Sequence, residues 1–162
     1  MKQVGIVGWR GMVGSVLLQR MLDENDFKDI SAHFYSTSNV GAAGPVIDGI
    51  SYTLKDAYSI DALAEMDIII TCQGGDYTKA VYQALIAHGW EGYWIDAASA
   101  LRMDERACII LDPVNRTHID RAVKEGIKLF VGGNCSITLS LMGLAGLIKA
   151  RSEEHTSELQ SP

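Results

Sequence analysis

The chain has 162 residues, with 14 Lys plus Arg against 20 Asp plus Glu, for a formal net charge of −6. Hydrophobic residues make up 48% and charged residues 21%, a balance that supports a sizeable core and excludes wholesale disorder. No block of Lys or Arg marks a nucleic-acid or anionic-membrane surface, and no apolar run reaches the roughly 20 residues a membrane span needs.

The first 150 residues alternate β-rich runs with helical patterns. Gln3 to Val7 reads as a strand bounded by glycines. Gly11 to Glu24 reads as a helix, with Val13, Val16, Leu17, Arg20 and Met21 at helical spacing. Ala32 to Tyr35 is a second strand. Ser36 to Ser59 is polar and glycine-rich and contains Pro45, which predicts a loop with one short strand near Tyr52. Ala62 to Glu65 is a short helix. Asp67 to Cys72 is a nearly continuous apolar run, as in a strand covered on both faces. Tyr77 to His88 is helical. Tyr93 to Asp96, Cys108 to Leu111 and Ile127 to Val131 are further strands, with a helix over Asn115 to Glu125 between the last two. A final helix starts near Cys135. This alternation predicts an α/β fold with a doubly wound, mostly parallel sheet.

Residues 151–162, RSEEHTSELQSP, change character abruptly, and Leu159 is their only clearly apolar residue. They are expected to form a solvated, disordered tail. The string also resembles the translation of a sequencing-library adapter, which implies a non-native tail and a chain interrupted at Ala150.

The first candidate site is Gly5-Ile-Val-Gly8-Trp-Arg-Gly11-Met-Val-Gly14, between the first strand and the first helix. A dinucleotide needs glycines at such a turn, because the turn is tight, the backbone must approach the pyrophosphate and the helix must pack closely on the sheet. The helix start then offers N–H groups to phosphate. The spacing is G-x-x-G-x-x-G rather than the commoner G-x-G-x-x-G, so its position after the first strand carries the argument. The second strand ends in Ser36, Thr37 and Ser38, where enzymes that use NAD usually place a carboxylate for the ribose hydroxyls. Hydroxyls there, with Arg10 in the glycine turn, suit the 2′-phosphate of NADP.

The second candidate site is Val131-Gly132-Gly133-Asn134-Cys135-Ser136. A cysteine at a helix start gains thiolate stabilisation from the helix dipole and its open N–H groups. Asn134 and nearby backbone N–H groups offer donors for a developing oxyanion. Cys72 and Cys108 lie in apolar strand runs and read as small buried hydrophobes. Three widely spaced cysteines with no C-x-x-C pair suggest neither a disulfide framework nor a metal site, and point to a reducing cytoplasm. Gln73-Gly74-Gly75 and Asp96-Ala97-Ala98-Ser99 end strands where open α/β sheets bind ligands. Arg102 follows the second of these and suits a phosphate or carboxylate. No histidine shows a partner spacing that assigns it as a base.

Together, VGIVGWRGMVGSVL, FYSTS, TCQGGDYT, GYWIDAASALRM, ILDPVN and FVGGNCS resemble aspartate-β-semialdehyde dehydrogenase of the bacterial type, from Met1 to about Ala150. The resemblance implies a Rossmann-type NADP-binding domain over 1–134 and the start of a catalytic domain over 135–150. It covers less than half of the usual enzyme, whose second, α+β domain also builds a homodimer. It implies reduction of aspartyl phosphate to the semialdehyde with release of phosphate, on the route to lysine, methionine and threonine. Cys135 would be the nucleophile that forms a thioester, with Asn134 orienting the thioester or its oxyanion and Arg102 binding the substrate phosphate. Gly8, Arg10, Gly11, Met12 and Val13 would serve the NADP phosphates, Thr37 and Ser38 the adenosine side, and Gln73 the cofactor. The family's catalytic histidine and carboxylate-binding residues have no counterpart in the chain, so it is expected to be inactive alone. A stand-alone NADP-binding module and an acetylglutamyl-phosphate reductase are the competing readings.

Overall fold

A computed structural model of the protein describes residues 1–158, with side chains over 1–150. Strand β1 (Lys2–Val7) runs into helix α1 (Met12–Asp23), and a 3-10 turn (Asp26–Asp29) leads to β2 (Ile30–Ser36). A hairpin of β3 (Ala43–Ile47) and β4 (Ile50–Thr53) follows, then β5 (Lys55–Asp56) and α2 (Ile60–Ala64). The remainder is β6 (Ile68–Thr71), α3 (Gly75–Ala87), β7 (Tyr93–Asp96), β8 (Ala107–Ile110), α4 (Arg116–Lys124), β9 (Leu129–Gly132) and α5 (Cys135–Glu158).

Seven strands form one sheet in the order β5-β2-β1-β6-β7-β9-β8. Every pairing in it is parallel, so the expected "mostly parallel" sheet is wholly parallel. Parallel strands need covered faces, and the hydrophobic alternation supplies both. On one face Val7, Tyr35, Ile69, Trp94 and Val131 pack with Leu63 of α2 and Tyr77, Val81 and Leu85 of α3. On the other, Val4, Ile6, Ala32 and Phe34 pack with Met21 of α1 and Ile47 of the hairpin. Ala122 of α4 continues that layer over Cys108 and Phe130. In β6, Ile69 belongs to the first cluster while Ile68 and Ile70 pack on the second, which explains why that strand reads as a continuous apolar run.

The region expected to be a loop with one short strand contains an antiparallel hairpin, a correction with a local cause. Ile47 pairs with Ile50 across the two residues Asp48 and Gly49, both at positive φ (49° and 78°). Asp-Gly between apolar residues is a signature of this two-residue turn. Pro45 is accommodated where the pairing register shifts between Ala43 and Val46. The expected disordered tail over 151–162 meets a helix that continues to Glu158, and for 159–162 it lies outside the described residues.

Candidate active site

The chain passes from β1 to β2 on one side and later returns to place β6 on the other, so the strand order switches direction beside β1. A crevice opens at such a point, outside the carboxyl ends of the strands. Here it is a cavity of about 370 Å³ lined by the turn Gly8–Gly11, by Tyr35–Asn39 after β2, and by Cys72–Gly74 after β6.

The glycines do different work. Gly8 has φ +78°, and a Cβ on it would lie 2.8 Å from the backbone of Cys72 and Gln73. A side chain there would push the two sides of the crevice apart. A Cβ on Gly14 would fall 2.2 Å from the Gly8 carbonyl, so this glycine sets how closely α1 approaches the turn. Gly11 is the N-cap of α1 and provides no side-chain cap, which leaves the helix start suited to a phosphate.

The predicted nucleotide residues fall into two groups. Gly8, Arg10, Gly11, Thr37, Ser38 and Gln73 line the cavity. Met12 and Val13 sit on the exposed first turn of α1, outside the lining. The Arg10 guanidinium lies 4.9 Å from the Trp9 ring centroid and donates to the Ala43 carbonyl at 3.1 Å. The hairpin thus steadies the cation at the mouth of the crevice. Ser36 Oγ accepts from the N–H groups of Ser38 (3.3 Å) and Asn39 (3.0 Å), folding the hydroxyl-bearing turn into the cavity. Among the lining residues there is no carboxylate. Gly74, marked in the sequence as part of a ligand-binding strand end, also lines the cavity, as do Asn39 and Cys72, which the sequence did not place there; their adjacency to Ser38 and Gln73 was the available signal.

The second cluster forms where β7 and β9 lie side by side, with Asp96 paired to Val131. Arg102 Nε donates to the Gly132 carbonyl at 3.0 Å, although 30 residues separate them in sequence. Asn134 Oδ1 accepts from the N–H groups of Ser136 and Ile137, both at 3.2 Å, and caps α5. Its carbonyl oxygen is therefore committed to the helix, and the amide nitrogen is the end that can donate to a substrate. Cys135 is exposed at the first position of α5, with its thiol 4.0 Å from Ser136 Oγ. Burial and the charge of Asp96 push the Cys72 thiol up, and burial pushes Cys108 up, so neither is poised to ionise.

Between the two clusters stands Asp96, only 2% exposed. Its carboxylate accepts from Thr78 Oγ1 (2.8 Å), Trp94 Nε1 (3.2 Å) and the Ala98 N–H (2.7 Å). Burial pushes its carboxyl up, against those three hydrogen bonds and the Arg102 charge, which favour the ionised form. The sequence reading noted Asp96 only as part of a strand end. A carboxylate closing an apolar strand was the signal for a buried hydrogen-bonded acid. Among the described residues, no group of three His, Cys, Asp or Glu side chains is placed to hold a metal ion.

A wholly parallel doubly wound sheet, a glycine turn at its switch point and a hydroxyl-lined crevice define a nucleotide-binding domain of the Rossmann type. Residues 3–122 match the family model described as "Semialdehyde dehydrogenase, NAD binding domain", and the chain belongs to that family. Among solved structures, aspartate semialdehyde dehydrogenase from Francisella tularensis is 48% identical, with a TM-score of 0.88 over 93% of this chain and 42% of that one. Aspartate semialdehyde dehydrogenase II from Vibrio cholerae, solved with ASA, shares the fold at 21% identity and a TM-score of 0.75, over 93% of this chain and 47% of that one. The Candida albicans enzyme, solved with NADP, shares it at 16% identity and a TM-score of 0.69, with the same coverage of 93% and 47%. The chain thus spans less than half the length of these relatives.

Proposed function

We propose that the chain carries the nucleotide-binding part and the nucleophile turn of an NADP-dependent enzyme that converts L-aspartyl-4-phosphate to L-aspartate-4-semialdehyde with release of phosphate. The observation that supports this most directly is the Arg102–Gly132 hydrogen bond of 3.0 Å, which joins a phosphate-type cation to the Gly-Gly-Asn-Cys turn. It occurs in a chain 48% identical to an aspartate semialdehyde dehydrogenase.

The crevice fits NADP in its chemistry. The Gly8–Gly11 turn and the start of α1 would take the pyrophosphate, through Gly8, Gly11 and the backbone of Met12 and Val13. Arg10, Thr37 and Ser38 would take the adenosine 2′-phosphate side, where no carboxylate opposes a second phosphate. Gln73 would contact the cofactor from the β6 side. NADPH, when bound, supplies the hydride that reduces the thioester.

In the proposed reaction the Cys135 thiolate attacks the acyl carbon, the bond to the phosphate oxygen breaks, and phosphate leaves with that electron pair. Arg102 holds the leaving phosphate through the guanidinium nitrogens not bonded to Gly132. Asn134, through its amide nitrogen, and the first N–H groups of α5 orient the acyl oxygen and stabilise its charge. After reduction, the carbon–sulfur bond of the hemithioacetal breaks, releasing aldehyde and regenerating the thiolate.

The organisation this implies is a nucleotide domain over 1–134 and the beginning of a catalytic domain over 135–150. The whole enzyme would be a cytoplasmic homodimer supplying semialdehyde for lysine, methionine and threonine. Among the described residues, the contact recorded for the Cys135 thiol is Ser136 Oγ, with no imidazole. An acid–base group contributes typically about 10²- to 10⁴-fold to such chemistry. The purified chain is therefore expected to bind NADP yet show no turnover of semialdehyde, phosphate and NADP in a spectrophotometric assay. Steady production of NADPH would overturn the inactivity, and failure to bind NADP would overturn the nucleotide reading.

A further inference from the structure

The two halves of the proposed site come from different strand ends, and their connection runs through one buried carboxylate. Asp96 ends β7. Through Oδ2 it accepts from Thr78 on α3, at 2.8 Å. The Thr78 N–H in turn donates to the carbonyl of Gly74 at 3.3 Å, and Gly74 lines the nucleotide crevice beside Gln73. Through Oδ1, Asp96 accepts from the Ala98 N–H at 2.7 Å. Ala98 opens the turn whose Ser99 carbonyl accepts from the Arg102 N–H at 3.1 Å, and Arg102 closes onto Gly132. The Ala97 N–H donates to the carbonyl of Thr71, and Thr71 Oγ1 accepts from the Gln73 N–H at 3.2 Å, so the same junction meets the β6 end as well.

All three side-chain and backbone partners of the Asp96 carboxylate are donors. That arrangement matches an ionised, acceptor-only group and has no place for an amide NH₂. At 2% exposure, water cannot substitute for a lost partner.

We propose that Asp96 is a positioning residue shared by the two halves: it holds the start of α3 against the nucleotide crevice and holds the turn that delivers Arg102 to the cysteine side. This rests on the proposed roles of the crevice and of Arg102. Asp96 itself is buried and does not line the crevice.

The test uses the 162-residue chain, with NADP binding measured by calorimetry. Inorganic phosphate binding is read from the amide resonances of Gly132 and Gly133. Asp96→Asn is expected to weaken both by about tenfold or more while retaining dispersed amide spectra. Thr78→Val, which cuts only the α3 arm, is expected to weaken NADP several-fold and leave the phosphate response within about twofold. Thr78→Ser, which keeps the hydroxyl, is expected to restore NADP binding. Wild-type binding of both ligands by folded Asp96→Asn would overturn the proposal, as would loss of one ligand only. If Asp96→Asn does not fold, the Thr78 pair decides: equal NADP affinity in the Val and Ser variants overturns the proposal, and a difference restored by Ser supports it. Arg102→Gln separates this from the underlying reading. Unchanged phosphate binding in that variant removes Arg102 as the phosphate residue, whereas the α3 arm is still judged by NADP and Thr78.

Discussion

Arg102 Nε donates to the carbonyl of Gly132 at 3.0 Å, which fastens the turn after β7 to the loop that presents Cys135. β7 and β9 are already neighbours in the sheet, and the bond ties the cation to the Gly-Gly-Asn-Cys loop at their ends. A Cβ on Gly132 would meet the Asp96 backbone carbonyl at 3.6 Å, an ordinary van der Waals contact, so the ends of β7 and β9 pack directly on each other there.

Cys135 is expected to be the reactive thiol. It is exposed at a helix start, whereas Cys108 is buried and Cys72 is partly covered, with burial pushing both of the latter thiols up. With iodoacetamide at neutral pH, peptide mapping is expected to show Cys135 labelled roughly tenfold or more faster than either. Equal or slower labelling would remove it as the nucleophile.

Gly14→Ala is expected to cost about 3 kcal/mol or more, because its Cβ would lie 2.2 Å from the backbone carbonyl of Gly8, which cannot move without opening the turn. Gly143→Ala, in α5 with nothing within 4 Å, is expected instead to gain about 0.5–1 kcal/mol from helix entropy. Urea denaturation of both variants checks the contrast, and similar stabilities for the two would contradict the close packing of α1 on the glycine turn.

Two buried phenols, Tyr35 and Tyr77, are expected to contribute to the loss of stability at alkaline pH. Tyr35 is pushed up to about 12 by burial and then by Glu65, and Tyr77 is also pushed up, chiefly by burial. Their folded values exceed the unfolded value of about 10, so the native state retains protons that the unfolded chain has lost. The stability they confer is complete below pH 10 and is lost as pH rises toward 12. Tyr35→Phe removes the 2.9 Å bond to the Ala62 carbonyl and should cost about 1 kcal/mol at neutral pH. It should also flatten the decline above pH 10, measured by chemical denaturation across pH; an unchanged slope would show that Tyr35 ionises freely in the fold.

The exposed apolar face of α5 predicts self-association of this chain. Leu139 is 73% exposed and Leu147 69%, with Ile137, Met142, Leu144 and Ile148 also exposed. Contiguous apolar surface of this kind drives association. Sedimentation velocity is expected to show concentration-dependent oligomers, reduced in a Leu139→Gln, Leu147→Gln double variant. A dilution-stable monomer of the unmodified chain would sink the prediction.

Much of the fold was legible because its signals are local. Tyr93–Asp96 has the predicted strand bounds, and Cys135 starts the last helix as expected. Hydrophobic period and glycine placement report on a few neighbouring residues, which is the range over which a strand or helix is decided. The hairpin after β2 was missed although Asp48-Gly49 marks it, because the polar, glycine-rich surroundings outweighed one dipeptide. Asn134 was read as a donor; its cap on α5 shows that only the nitrogen end is free for that use.

By themselves, the residues determined a nucleotide-type glycine turn, hydroxyls instead of a carboxylate after the second strand, and a cysteine at a helix start, since each depends on side chains adjacent in the chain. Only the tertiary structure decided that β9 inserts between β7 and β8, that Arg102 reaches Gly132, and that Asp96 stands buried between the crevice and the cysteine turn. Those relationships join residues tens of positions apart, and they arise from which faces of the sheet the helices cover and which strand ends that packing brings together. No local pattern encodes such an order, because it is settled by the burial of the whole apolar surface at once.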